Sequence, residues 1–339
     1  MATIRGINLG GWFVLEKWMK PVLFNGVDGP DETIFCKQAE NALETLQEHW
    51  NTFITEEDFK YIKEDLELNS IRIPIPWWMF FDTTPYFSGI KYLDKAMAWA
   101  DQYDLKVLLD LHTAPGCQNG FDNGGITGVI EWDKDTKNIK KTIETLEIIV
   151  KRYKNHTSLW GIQVLNEPHW TIDLDLLQTF YKHAYTLIRK HLKDVYIVFH
   201  DSFRPDNEGW VSFFKQNAFH NVLFDLHLYQ CFGDQFNDMK IREHIEFTLG
   251  RLDLIERLNK LVPLIVGEWS LGLHGHVFKG MDQFMKVNAL TTYANTQLFT
   301  YENCFGWYFW SYKLERNDSL DGWNFKQLVK QGIFPKSYN

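Results

Sequence analysis

The sequence predicts an α/β fold: a closed (β/α)8 (TIM) barrel that forms a single domain over residues 1–339, with elaborated βα loops. Three observations carry that reading. Eight short apolar runs recur at intervals suited to βα units. Amphipathic segments bearing Lys and Glu lie between them. Several runs are almost continuously hydrophobic, as parallel strands covered on both faces are. Strict alternation over eight units favours a closed barrel over an open doubly wound sheet. An open sheet holding a dinucleotide would show GxGxxG after its first strand, and Gly6, Gly10 and Gly11 lack that spacing.

The first run covers residues 4–9. A long connection, residues 16–55, reads as a loop before the first helix, which Thr55-Glu56-Glu57-Asp58 opens with a capping signature. The second and third runs are residues 70–74 and 106–112, and another long loop follows over residues 113–135. A helix over residues 136–153 leads to the fourth run, 159–166, and a helix over 174–193 to the fifth, 196–200. The sixth run is 222–229, a helix covers 241–261, and the last two runs are 264–268 and 306–310. No linker or low-complexity tract divides the chain. On this fold, long ordered loops on the βα face are where active sites lie.

Composition narrows the function. The net charge of −9 disfavours a nucleic-acid partner, which asks for a basic face. No stretch approaches 18 consecutive apolar residues, so no membrane span is expected. Cys36, Cys117, Cys231 and Cys304 show no metal-ligand spacing and are expected as free thiols. Met1 to Gly6 carries no apolar export segment, which sets a cytoplasmic expectation, or a secreted one if an upstream leader has been removed. The sequons at Asn155 and Asn317 are then chance matches. The 14 Trp, 14 Tyr and 26 Phe residues suit either a bulky core or a cleft that stacks sugar rings.

Polar residues gather where the runs end. The second run holds Arg72; the third ends in His112; the fourth ends in Asn166-Glu167-Pro168. Asp225-Leu226-His227-Leu228-Tyr229, Glu268-Trp269 and Trp310-Ser311 close the sixth, seventh and eighth. Two glutamates on one barrel rim suit cleavage of a glycosidic bond through a covalent intermediate. One carboxylate attacks the anomeric carbon and a protonated one assists the leaving oxygen. Taken singly, each residue has a plainer explanation. A Glu after a strand is often a helix-start charge, Arg72 a buried structural cation, His112 or His227 a hydrogen-bonded core histidine. Their joint placement at one rim argues for a site. A nucleotide cup at Gly272 to Gly275 is a weak signal, and His274 with His276 lacks a third metal ligand.

With these residues in place, the sequence resembles family 5 glycoside hydrolases of the retaining-barrel clan, and within them the exo-β-1,3-glucanase branch. The resemblance runs from Ile4 to about Trp323. It rests on Arg5-Gly6-Ile7-Asn8-Leu9-Gly10-Gly11-Trp12, on His49-Trp50 with Phe53 to Phe59, on Leu111 to Asn123, and on Asn166-Glu167-Pro168. It implies Glu167 as acid/base and Glu268 as nucleophile, with Arg72 and Tyr229 donating to Glu268. His227 would line the same side and Asn166 would meet the sugar 2-OH beside His112. It further implies Trp310 as the floor of the −1 sugar, Glu16 and Asp122 as ligands of its distal hydroxyls, and Phe121 with Phe232 as an aromatic clamp at the entrance. It implies no metal and no organic cofactor.

The expected activity is a retaining β-glycosidase with an oligosaccharide or small glycoside as its partner, acting at the chain end on β-1,3-gluco-oligosaccharides or small β-glucosides. The alternatives are a diglycosidase of the rutinosidase kind, a transglycosylase, and a carbohydrate-binding barrel without turnover. Oligomeric state carries no sequence signal. Glu167 should be protonated while Glu268 is ionised, giving a bell-shaped pH dependence.

Overall fold

The computed structural model describes residues 3–316 and 322–338, so the Asn317 sequon lies outside the described residues. Eight parallel strands close in sequence order: β1 (Ile4–Asn8), β2 (Ser70–Ile75), β3 (Lys106–Leu111), β4 (Leu159–Gln163), β5 (Tyr196–His200), β6 (Val222–His227), β7 (Leu264–Trp269) and β8 (Gly306–Phe309). β8 pairs back onto β1, so no strand edge is left open. The expected barrel is the observed one. The strands end earlier than the apolar runs suggest at β4 and β6, which leaves Asn166, Glu167 and Tyr229 just past the pleat.

Helices surround the barrel: α1 (Glu32–Gln38), α2 (Ala42–Thr52), α3 (Glu56–Glu64), α4 (Ile90–Gln102), α5 (Thr136–Tyr153), α6 (Leu174–His191), α7 (Glu208–Gln216), α8 (Ile241–Asn259), α9 (Gln283–Tyr301) and α10 (Phe325–Lys330). α5 starts at Asp135, whose side chain accepts from Lys137 N, and α6 at Asp173, which accepts from Leu176 N. The capping signature before α3 is real: Asp58 Oδ2 accepts from Thr55 N at 3.1 Å. Residues 16–55 are the exception to the sequence reading. They hold α1 and α2 instead of a plain loop. Phe35, Leu46 and Trp50 from these helices are buried against the barrel wall, and the short α1 gives little periodicity to read.

The barrel interior is layered, because alternate residues of a strand share one face. Its floor is apolar: Ile4, Leu108, Val198, Leu223, Ile265 and Tyr308 pack together. Gly6 lacks a side chain because a Cβ there would lie 2.2 Å from the Tyr308 ring. Two residues further along the strands the interior turns polar, with Asn8, Arg72, Asp110, Gln163 and Asp225 all fully buried. Another two residues bring His112 and His227 to the rim. On β7 that count would point Trp269 inward. The β6–β7 register shifts at Leu226/His227 and the β7–β8 register at Val266/Trp269. These irregularities set Glu268 beside His227 and turn Trp269 outward against Tyr301, Trp307 and Phe309.

Candidate active site

The buried polar layer organises the rim. Arg72, at the centre, binds two carboxylates and three amide oxygens: Nη1 gives to Glu268 Oε1 at 2.7 Å and to Asn8 Oδ1 at 2.8 Å. Its Nε gives to Gln163 Oε1 at 2.9 Å, and Nη2 to Asn166 Oδ1 at 2.8 Å and Asp110 Oδ2 at 3.0 Å. A guanidinium gripped on every side fixes Glu268 without freedom to swing. Tyr229 OH donates to the other oxygen of Glu268, Oε2, at 2.8 Å.

Glu167 is held from the opposite side. His227 Nδ1 lies 2.6 Å from its Oε1, and Asn123 Nδ2 donates to its Oε2 at 2.9 Å. The other nitrogen of His227 sits 3.0 Å from Asp225 Oδ2, whose partner oxygen accepts from Gly267 N at 2.6 Å. His227 Nδ1 is also 3.5 Å from Glu268 Oε2. One imidazole nitrogen thus touches both carboxyl groups. Their facing oxygens are therefore closer than the roughly 6.5–9.5 Å gap an inverting glycosidase keeps for its water.

The two rim carboxyl groups are shifted in opposite directions. Burial would raise Glu167, but the hydrogen bond and charge of His227 outweigh it and bring the carboxyl down to about 2. Burial raises Glu268 above its ordinary value, against the pull of His227 and Arg72. Burial would lower His227, yet the charges of Glu268 and Asp225 and its two hydrogen bonds lift it well above the usual imidazole range. At 2.6 Å the carboxylate form of Glu167 and the imidazolium form of His227 favour each other. The contact between His227, the last residue of β6, and Glu167, past the end of β4, joins residues 60 positions apart and has no signature in the sequence.

The remaining rim residues fall into two groups. His112 Nδ1 lies 2.5 Å from Asp110 Oδ2, which orients the ring, and the ring lies parallel to that of Trp310, with centroids 5.7 Å apart. Asn166 Nδ2 is 3.4 Å from His112 Nε2. The Glu16 side chain is buried; Trp18 Nε1 donates to its Oε2 at 2.8 Å, and its Oε1 has no hydrogen-bond partner among the described residues. Burial first, then the nearby charge of Asp122, holds Glu16 well above the carboxylate range, and burial raises Asp122 likewise. Phe121 and Phe232 stand apart. Phe121 packs on His169 and Trp170, while Phe232, 63% exposed, packs on Tyr229 and Trp323. No ring contact joins the two among the described residues.

Asn8, Asp110, Gln163, Asp225, Asn123 and His200 were not among the sequence candidates. Asp110 and Asp225 could have been found: each lies two residues before a candidate histidine and so shares its face. Glu167, His200 and His227 place ligand-type atoms within 4.8 Å of one another. A metal there would have to displace the 2.6 Å bond between His227 and Glu167. A separate cavity of about 260 Å³, lined by Tyr196, Phe219 and Phe305 among others, opens below the strand N-termini, away from both carboxylates.

The family pattern of cellulase, glycosyl hydrolase family 5, matches residues 32–315. The chain belongs to glycosyl hydrolase family 5. It is a glycoside hydrolase, and its carboxylate pair stands on the barrel rim of that family's fold. A probable glucan 1,3-β-glucosidase A of Emericella nidulans is 36% identical over 98% of this chain and 90% of its own length. A glucan 1,3-β-glucosidase of Kluyveromyces lactis is 34% identical over 98% of this chain and 88% of its own. Among solved structures, a rutinosidase from Aspergillus niger superposes with a TM-score of 0.84 at 19% identity, covering 98% of this chain and 97% of that one. That last likeness speaks for the fold alone.

Proposed function

We propose that this family 5 enzyme is an exo-acting retaining β-glucosidase that removes terminal glucose from β-1,3-linked gluco-oligosaccharides or small β-glucosides. The observation that carries the reading is the His227 nitrogen set 2.6 Å from Glu167 and 3.5 Å from Glu268. It supports a separation suited to direct attack by a carboxylate. The glucan 1,3-β-glucosidases to which the chain is similar support the substrate.

In the first half-reaction Glu268 attacks the anomeric carbon, the bond to the leaving oxygen breaks, and Glu167 passes a proton to that oxygen. Arg72 and Tyr229 hold Glu268 ionised and aimed. As Glu268 loses its charge to the ester, His227 loses the anion that raised its pKa and releases its proton to Glu167. In the second half-reaction Glu167 takes a proton from water, the water oxygen bonds to the anomeric carbon, and the ester to Glu268 breaks. Asn166 meets the 2-OH, with His112 beside it, and Trp310 floors the sugar. The distal hydroxyls lie against Glu16 and Asp122; the unpartnered Glu16 Oε1 is a buried polar atom that a sugar hydroxyl satisfies. Phe121 and Phe232 flank the leaving group.

The reading also takes residues 1–339 as one catalytic domain. Cys36, Cys117, Cys231 and Cys304 are unpaired, which supports a reducing, cytoplasmic setting. No helix among the described residues is long and apolar enough to cross a membrane.

The test is hydrolysis of p-nitrophenyl β-glucoside, a p-nitrophenyl rutinoside and laminaritriose side by side, with wild type and Glu268→Ala. Glucose release lost in Glu268→Ala supports the reading. Intact rutinose would move the function to a diglycosidase, internal cuts would end the exo claim, and silence on all three would leave a sugar-binding barrel.

A further inference from the structure

Trp170 is large, aromatic and 49% exposed, three residues past Glu167. Exposed tryptophan on a loop is ordinarily mobile, yet this ring is braced on three sides. It stacks on His169 with centroids 3.8 Å apart, meets Phe203 edge-on at 6.1 Å, and meets Phe121 at 6.3 Å. The braces are themselves fixed. His169 N donates to Gln118 O at 3.0 Å, and its Nδ1 is 2.7 Å from Thr171 Oγ1. Ser202 Oγ donates to Pro168 O at 2.8 Å.

Phe203 is held at a cost. Ser202 and Phe203 both have positive φ, 57° and 55°, a conformation that side-chain-bearing residues seldom adopt and that persists only where the surroundings enforce it. The Phe203 ring reaches the His200 ring at 5.0 Å, and His200 reaches His227 at 4.4 Å. A continuous path of rings therefore runs from Trp170 to the imidazole that touches Glu167. On the other side, Phe121 lies in the same short segment as Asn123, which holds Glu167. The exposed face of Trp170 is thus an extension of the acid/base side of the rim. That side faces the leaving group, while Glu16, Asp122 and Trp310 face the terminal sugar.

We propose that Trp170 is a +2 subsite platform, stacking the second ring of a leaving group beyond the Phe121–Phe232 entrance. The shared chemistry is a flat ring with an apolar face: a second glucose, or the second ring of an aromatic aglycone. The inference rests on Glu167 acting as the acid that serves the leaving oxygen. It adds a length preference that the glucosidase reading alone does not contain.

The experiment measures kcat/KM of wild type, Trp170→Ala and Trp170→Phe on four substrates: p-nitrophenyl β-glucoside, laminaribiose, laminaritriose and a flavonoid β-glucoside. The first two place one ring past the cleaved bond, and the last two place more. Trp170→Ala is expected to lose about tenfold, the ratio set by about 1.4 kcal/mol, on at least one of the longer pair. On the one-ring substrates it should change less than about twofold, and Trp170→Phe should keep most of the long-substrate activity. Loss on laminaritriose alone assigns the platform to sugar; loss on the flavonoid glucoside alone assigns it to an aromatic aglycone. An equal loss on all four substrates, or no loss on the longer pair, overturns the platform while the glucosidase reading stands. A wild type that cleaves none of the four overturns both.

Discussion

Replacing Tyr229 by Phe removes one hydrogen bond and little else. The Tyr229 hydroxyl donates to Glu268 Oε2 at 2.8 Å, and its ring packs against Phe232 and Trp323, contacts that a phenyl ring keeps. Burial and the charge of Glu268 hold the phenol well above its ordinary pKa, so it is a donor throughout the working pH range. A hydrogen bond to a charged group is worth about 1.5–3 kcal/mol. The donor favours ionised Glu268, so its loss raises that pKa by about one to two units at 1.36 kcal/mol each. The acidic limb of kcat/KM, which reports ionisation of the nucleophile, moves to higher pH by the same amount. Activity below that limb falls about 10- to 100-fold, because Glu268 is then mostly protonated. The assay is the pH profile of kcat/KM on p-nitrophenyl β-glucoside, with thermal unfolding as a control. An acidic limb that stays in place, or moves down, would refute the reasoning that Tyr229 supports an ionised Glu268.

Other consequences are equally measurable. His227→Ala should lower kcat/KM on natural substrates by about 10²–10⁴, the usual contribution of a proton donor. It should also bring the basic limb to lower pH, since the proton would rest on a carboxyl alone; an unchanged basic limb would separate His227 from the acid. Glu167→Ala should spare the first step on activated aryl glucosides, whose leaving groups need no proton, and pre-steady-state bursts read this directly; equal loss on activated and natural substrates counts against the assignment. Asp58 concerns stability. Burial would raise it, but Lys313, Tyr312 and Lys326 hold it down to about 2. A carboxyl depressed by folding stabilises above its unfolded pKa of about 3.9, and that contribution, about 2 kcal/mol, fades as pH falls through the folded value. Asp58→Asn should therefore lower the denaturant midpoint at pH 7 by more than at pH 2, and equal losses at both would undo the ion-pair account.

Much of this was legible because strand chemistry is local. Alternating interior positions fix which residues reach the rim, so Arg72 could be picked from inside an apolar run and Glu167 and Tyr229 from the ends of two others. Helices with side-chain caps, such as α5 after Asp135, were equally readable. Two things were not. Helices α1 and α2 are short and derive their order from burial of Phe35, Leu46 and Trp50 against the barrel, a tertiary effect with weak local pattern. The place of His227 was hidden too, because it depends on a register shift at Leu226/His227 that sets an imidazole between two carboxylates. No one-dimensional spacing encodes that contact. The polar layer of Asn8, Asp110, Gln163 and Asp225 lies between these cases: strand periodicity pointed at it, but only the closed barrel shows it converging on Arg72.

The central claim is that Glu268 forms a covalent glucosyl ester. Incubating the enzyme with a 2-deoxy-2-fluoro-β-glucoside bearing a good leaving group, then mapping the adduct by peptide mass spectrometry, tests it most directly. The account predicts a single fluoroglucosyl group on the peptide containing Glu268, with loss of activity in step with labelling. A label on Glu167 or elsewhere, or steady turnover with no trapped ester, would contradict it.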